Sequence, residues 1–228
     1  MSINHRILFE DNHLIAINKQ SGDLVQGDKT GDEILPDLIK HYIAKKYNKL
    51  GAVYLGVVHR LDRPTSGVVI FARTSKALPR MNKLFAEHET NKTYWAIVEG
   101  NVPKKKARLE HYLVRNPKQN KSYAHDHEVP NSKKAALSYA VLKILDRYTL
   151  LEIELETGRH HQIRSQLSKI GCVIKGDLKY GAKRSNKDGS IHLHARSLEF
   201  MHPVKNEPIK IFAPVNSKDA LWKAVAEL

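Results

Sequence analysis

The sequence predicts an α+β protein with a largely antiparallel β-sheet, and three observations predict it. Strand-like runs outnumber helical ones along the 228 residues. Two pairs of such runs close on short turns, at Asp11-Asn12 and Asp146-Arg147, as antiparallel neighbours do. Helical stretches are too few for the strand–helix alternation of a parallel sheet.

From the N-terminus, residues 6–10 and 13–18 read as two short strands around Asp11-Asn12. Residues 33–47 set Ile34, Leu35, Leu38, Ile39, Tyr42 and Ile43 on one helical face. Residues 53–58 and 67–73 read as strands. Residues 75–89 read as a helix with Ser75 as N-cap and Leu78, Met81, Leu84 and Phe85 on one face. Residues 92–99 are aromatic and β-branched and read as a strand. Residues 101–135 carry nine Lys or Arg, three Asp or Glu and three prolines. They read as a basic excursion with one strand near 107–114. Residues 136–145 and 148–156 form a hairpin, and residues 160–170 a helix on Ile163, Leu167 and Ile170. Residues 191–213 hold two strands about a Pro-containing turn, and residues 217–226 a closing helix. No repeat, low-complexity tract or linker interrupts the chain, so residues 1–228 read as one domain.

Lys and Arg number 38 against 24 Asp and Glu, a net charge of +14. An excess of this size predicts a polyanionic partner, nucleic acid before acidic membrane. Cys172 is the only cysteine, which excludes an intramolecular disulfide and a cysteine-based metal cluster within one chain. Met1-Ser2-Ile3-Asn4-His5-Arg6 lacks the apolar core of a signal peptide, and no apolar run is long enough to span a bilayer. A soluble cytoplasmic protein is expected.

The most informative stretch is His59-Arg60-Leu61-Asp62-Arg63-Pro64-Thr65-Ser66-Gly67. Opposite charges packed this closely between two apolar runs suggest an anionic ligand held by the arginines and a carboxylate that acts on it. A carboxylate beside guanidinium groups is held ionised. Asp62 can then be a nucleophile, a general base, a metal ligand or one half of a structural ion pair. A second stretch is Glu156-Thr157-Gly158-Arg159-His160-His161-Gln162-Ile163-Arg164. Here Thr157 can cap a helix whose first turn presents Arg159, His160 and His161 to phosphate, while Arg164 reaches inward to a carboxylate. The paired histidines lack a third ligand at zinc spacing, so no metal site is expected. His192 and His194 share one face of a strand and read as structural. In Lys92-Thr93-Tyr94-Trp95, strand alternation sends Tyr94 and Trp95 to opposite faces, and one of the two can stack on a base.

Taken together, these motifs resemble the RluA-type pseudouridine synthases. The resemblance rests on residues 59–67 and on Thr157-Gly158-Arg159-x-His161-Gln162-Ile163-Arg164. Further islands are Leu8-Phe9-Glu10-Asp11-Asn12-His13-Leu14, Lys92-Thr93-Tyr94, Gly176-Asp177-x-x-Tyr180-Gly181, and His194-Ala195 through His202-Pro203. It implies a fold with an active-site cleft across the sheet, and isomerisation of a uridine in RNA to pseudouridine without cofactor or metal. By likeness Asp62 is the nucleophile, Arg164 its partner, and Tyr94 the residue that stacks on the uracil. Arg60 would enter the RNA stack and extrude the base, with His59, Arg63, Arg159, His161 and Lys76 along the RNA path. The sequence departs from the pattern at Gln20, where relatives usually have proline, and at Gln166, where histidine is common. The chain is expected to start directly at the catalytic domain, without the N-terminal S4-type domain of many relatives. That resembles the short, monomeric members that act on transfer RNA, or on both transfer and large-subunit ribosomal RNA.

Overall fold

The computed structural model describes residues 3–27, 31–100 and 102–227. Expectations that touch Met1, Ser2, Asn101 or Leu228 lie outside these residues. Among the described residues a 3-10 turn at Ile3–Arg6 leads into β1 (Ile7–Glu10), β2 (Leu14–Lys19), α1 (Leu35–Lys46), β3 (Gly56–Val57), β4 (Ser66–Ala72) and α2 (Ala77–Ala86). Then come β5 (Thr90–Glu99), β6 (Lys106–Asn116), β7 (Lys121–His125), β8 (Lys133–Ile144), β9 (Tyr148–Leu155) and α3 (Gln162–Lys169). A 3-10 turn at Leu178–Tyr180, β10 (Leu193–Met201), β11 (Pro208–Phe212) and α4 (Ala220–Lys223) complete the order. Chain contacts divide these elements into two compact units, Met1–Asn91 with Ala195–Pro214, and Lys92–His194 with Val215–Leu228.

In the first unit, β2 pairs antiparallel with β1 and β4, β3 with β4, and β10 with β11. Alternation along β2 and β4 feeds two cores. Leu14, Ala16, Val68, Ile70 and Ala72 pack with Met81 of α2 and with Leu198 and Phe200 of β10. Ile15, Ile17, Val69 and Phe71 pack with Ile39 and Ile43 of α1. Both faces of these strands are covered, which is why they read as continuous apolar runs rather than alternating ones.

In the second unit the antiparallel neighbours are β5 with β9, β9 with β8, β8 with β6, and β6 with β7. Ile163 and Leu167 of α3 cover one face with Ala96, Val98, Leu137 and Ile153. Trp222 and Val225 cover the other with Trp95, Ile97 and Leu150.

The α+β, largely antiparallel class expected from the sequence is the one found, and several boundaries move. The basic stretch 101–135 is mostly strand, with β7 unforeseen and β8 starting at Lys133. Ser75 caps nothing. Lys76 stands at the cap position of α2, and Thr74 Oγ1 accepts from the Ala77 amide instead. The closing helix is a single turn whose start Asp219 caps, accepting from the Leu221 and Trp222 amides. Of residues 53–58, only Gly56 and Val57 are strand.

Candidate active site

Asp62 lies half-buried in the loop that runs into β4. Its neighbours explain the path of the loop. Leu61, partly buried, packs against the core under α1. Gly67 ends the loop at φ +114°, and a Cβ there would stand 2.3 Å from the Ala195 carbonyl oxygen. Only glycine admits both that dihedral and that approach.

A cation holds the loop from below. Lys19 ends β2 at 1% exposure. Its Nζ donates to the carbonyls of Thr65 at 2.7 Å, Arg63 at 3.1 Å, Asp62 at 3.2 Å and Gln20 at 3.1 Å. The Thr65 amide donates to Asp62 O at 3.0 Å, and the Gly22 amide to Arg63 O at 2.9 Å. Burial pushes the Lys19 ammonium down to about 8, while the charges of Asp23 and Asp62 pull it up. Four facing carbonyls also favour the charged form.

The flanking residues divide their work. Arg60 is exposed and donates to Gln26 Oε1 at 2.9 Å. Arg63 is exposed and pairs with Asp32 at 2.7 Å. His59 is half-buried. Its Nε2 accepts from the Ile70 amide at 3.1 Å and its ring stacks on Phe85 at 4.7 Å, so it pins the loop to β4. Lys76 is exposed at the start of α2.

In the second unit, Tyr94 and Trp95 point to opposite faces of β5 as expected. Trp95 is a core residue whose Nε1 donates to Glu152 at 3.3 Å. Tyr94 is half-buried against the α3-covered core. Burial lowers the Lys92 ammonium two residues before it.

The stretch Thr157–His161 is not the helical first turn that the sequence suggested. α3 begins at Gln162, and His161 precedes it at φ +51°, a left-handed conformation that costs on the order of 1 kcal/mol for a non-glycine residue. Thr157 caps nothing. Its Oγ1 bonds the Ala136 amide at 3.0 Å and Gln162 Oε1 at 2.8 Å, tying the loop to β8. Arg159 is exposed and donates to Lys134 O, whereas His161 is 8% exposed.

Arg164 does reach inward to a carboxylate. Its Nε and Nη2 form a fork on Asp177 at 2.7 and 2.8 Å, with side-chain exposures of 5% and 1%. Its Nη1 donates to His161 Nε2 at 3.0 Å. A bidentate, buried pair of this kind fixes the plane of the guanidinium. The sequence signalled Asp177 only as part of Gly176-Asp177-x-x-Tyr180-Gly181, with no pointer to Arg164.

His192, His194 and Cys172 pack within the fold. His192 and His194 face Trp222 at 5.3 and 5.9 Å, and burial depresses the His192 imidazole although Asp219 is 3.0 Å away. Cys172 is buried, which raises its thiol. Among the described residues, no group of three or more His, Cys, Asp or Glu is placed to hold a metal ion, and no helix is long and apolar enough to cross a membrane.

Known proteins share this sequence and fold. The tRNA pseudouridine synthase C of Vibrio cholerae is 30% identical over 240 residues, covering 96% of this chain and 93% of its own. The ribosomal large subunit pseudouridine synthase D of Zymomonas mobilis is 32% identical over 213 residues, 89% of this chain and 67% of its own. The solved structure of human RNA pseudouridylate synthase domain containing 4 shares the fold at a TM-score of 0.81 and 23% identity, over 99% of this chain and 94% of that one. A family model described as RNA pseudouridylate synthase matches residues 13–169, and the chain belongs to that family, in its RluA-type branch.

Proposed function

We propose that this protein isomerises a specific uridine in structured RNA, a transfer RNA or large-subunit ribosomal RNA, to pseudouridine. The reaction breaks the bond from N1 to C1′ and forms one from C5 to C1′. The C5 proton leaves to solvent and N1 gains one, so the balance needs no redox partner, cofactor or metal. The observation that carries this reading is the His59–Gly67 motif inside a family match spanning residues 13–169.

In this reading Asp62 is the nucleophile, at C1′ of the ribose or C6 of the base. Arg164 is the residue that orients that carboxylate. Three of its five N–H donors serve Asp177 and His161, which fixes the plane of the guanidinium. Tyr94 stacks on the uracil, and its hydroxyl takes the C5 proton. The target base is unreachable inside a stacked helix, and extruding it costs a few kcal/mol. Arg60 enters the space it leaves, since a guanidinium both stacks on bases and contacts phosphate. Arg63, Arg159 and Lys76 meet the RNA backbone. The net charge of +14 supplies the sequence-independent, salt-sensitive part of the affinity. The enzyme works as a monomer in the cytoplasm.

RNA labelled with tritium at uridine C5 tests the reading. Transfer and ribosomal RNA from cells lacking the gene should release tritium with the protein in the presence of chelator, with RNA length unchanged. Binding without release would make the chain an RNA-binding protein that keeps the fold. Release that chelator stops would point to a metal-dependent reaction.

A further inference from the structure

The hydrogen bonds around Arg164 fix a proton. A guanidinium has only donors, so His161 Nε2, which meets Arg164 Nη1 at 3.0 Å, must present its lone pair. The neutral ring then carries its proton on Nδ1, 3.0 Å from the Tyr180 hydroxyl. That hydroxyl also accepts from the Ser122 amide at 2.8 Å and donates to the Ser122 carbonyl at 3.1 Å. Two accepted bonds and one donated bond exhaust a hydroxyl, so the direction of every bond from β7 to the guanidinium is determined.

Two further contacts hold the His161 ring, and others hold its neighbours. His160 stacks on His161 at 3.8 Å. The Tyr180 ring stands edge-on to it at 5.6 Å, with Arg164 and Lys121 each 5.0 Å from the Tyr180 ring centroid. Ser122 Oγ meets His160 Nδ1 at 2.8 Å. Ser122 is the buried residue of β7, the last strand of the second unit's sheet.

We infer that His161 is a positioning residue that acts through Arg164: Tyr180 and β7 hold its imidazole neutral with the lone pair on Nε2, and that lone pair sets the direction of the guanidinium. This rests on the role proposed above for Arg164. It gives His161 a different part from the RNA contact expected from sequence, and it makes the edge strand β7 part of the active site's support. A protonated imidazole would turn an N–H toward the guanidinium and remove the bond.

Nitrogen-15 NMR of the wild-type protein at neutral pH reads the tautomer directly. The expected result is a bare Nε2 and a protonated Nδ1 at His161; an Nε2–H tautomer or an imidazolium would overturn the inference, whatever the variants do. Kinetics test the consequence. In His161→Leu, kcat should fall by about 10²-fold, the scale of a misplaced catalytic group, with KM for RNA unchanged. His161→Gln, whose Oε1 can reach the place of Nε2, should recover most of the loss. Tyr180→Phe should lower kcat less. Equal losses in the Leu and Gln variants, or a change confined to KM, would count against positioning. Arg164→Ala separates the two levels. Full turnover in that variant overturns the role of Arg164 and this inference with it. Loss there without loss in His161→Leu overturns this inference alone.

Discussion

Around Asp62 the fixed atoms are main-chain ones: Lys19 bonds the carbonyls of Gln20, Asp62, Arg63 and Thr65, and the Gly22 and Thr65 amides bond the same loop. Around Arg164 they are side-chain ones: a carboxylate fork from Asp177 and a ring nitrogen from His161. The difference matters for chemistry. A clamped backbone fixes where a carboxylate is rooted. A clamped guanidinium fixes the direction of the charge itself. Under the roles proposed above, the nucleophile is rooted through its backbone and the cation that orients it is held through its side-chain partners.

The comparison breaks most visibly at Asp177. Asp177→Ala leaves a buried guanidinium without its carboxylate, and should lower stability by about 3–5 kcal/mol in urea melts. A loss below about 1 kcal/mol, the range of an exposed ion pair, would mean that side chains do not hold the Arg164 region. Next comes Gly67→Ala, where the new Cβ meets the Ala195 backbone at φ +114°. Strain of this kind costs about 2–3 kcal/mol. It should shift the melting curve and reduce turnover together, because β4 and the Asp62 loop move as one. An unchanged melt would show that the loop tolerates a displaced backbone.

Lys19 sharpens the comparison through pH. Its ammonium is depressed from the ordinary 10.5 to about 8 by burial. Below pH 8 both folded and unfolded chains hold the proton, and the folded state bears the cost of the buried charge. Between pH 8 and 10.5 the unfolded chain binds more protons, so stability rises with pH in that window. Relative to Lys19→Met, the wild type should gain on the order of 2–3 kcal/mol across it, read from melts of both proteins. Turnover should run the other way, falling above pH 8 as the clamp on the Asp62 loop loses a donor. A flat difference between the two proteins from pH 7 to 10.5 would remove Lys19 from the account.

The sequence revealed the two regions unequally. The Asp62 motif was legible because unlike charges stood between apolar runs, and Tyr94 and Trp95 because period two sends strand neighbours to opposite faces. The strands of the first unit were legible because two cores demand apolar residues on both faces over residues 14–17 of β2 and 68–72 of β4. β7 was not, because Lys121–His125 buries a serine rather than an apolar side chain and sits at an edge, where pattern is weakest. The start of α3 was misread because His161 takes a left-handed conformation that no propensity favours. The Lys19 clamp and the Asp177 fork were also hidden. Lys19 looks like the polar end of a strand, and Asp177 is thirteen residues from Arg164 across a turn, a pairing that exists only once the chain has folded.

The most direct test concerns Asp62 itself. Asp62→Asn keeps the size of the side chain and, through the Lys19 clamp, the path of the loop, while removing the carboxylate proposed as the nucleophile. Tritium release from C5-labelled substrate RNA should be abolished in this variant, with RNA affinity and melting temperature close to wild type. Release at the wild-type rate would contradict the assignment of Asp62 as the residue that attacks the nucleotide.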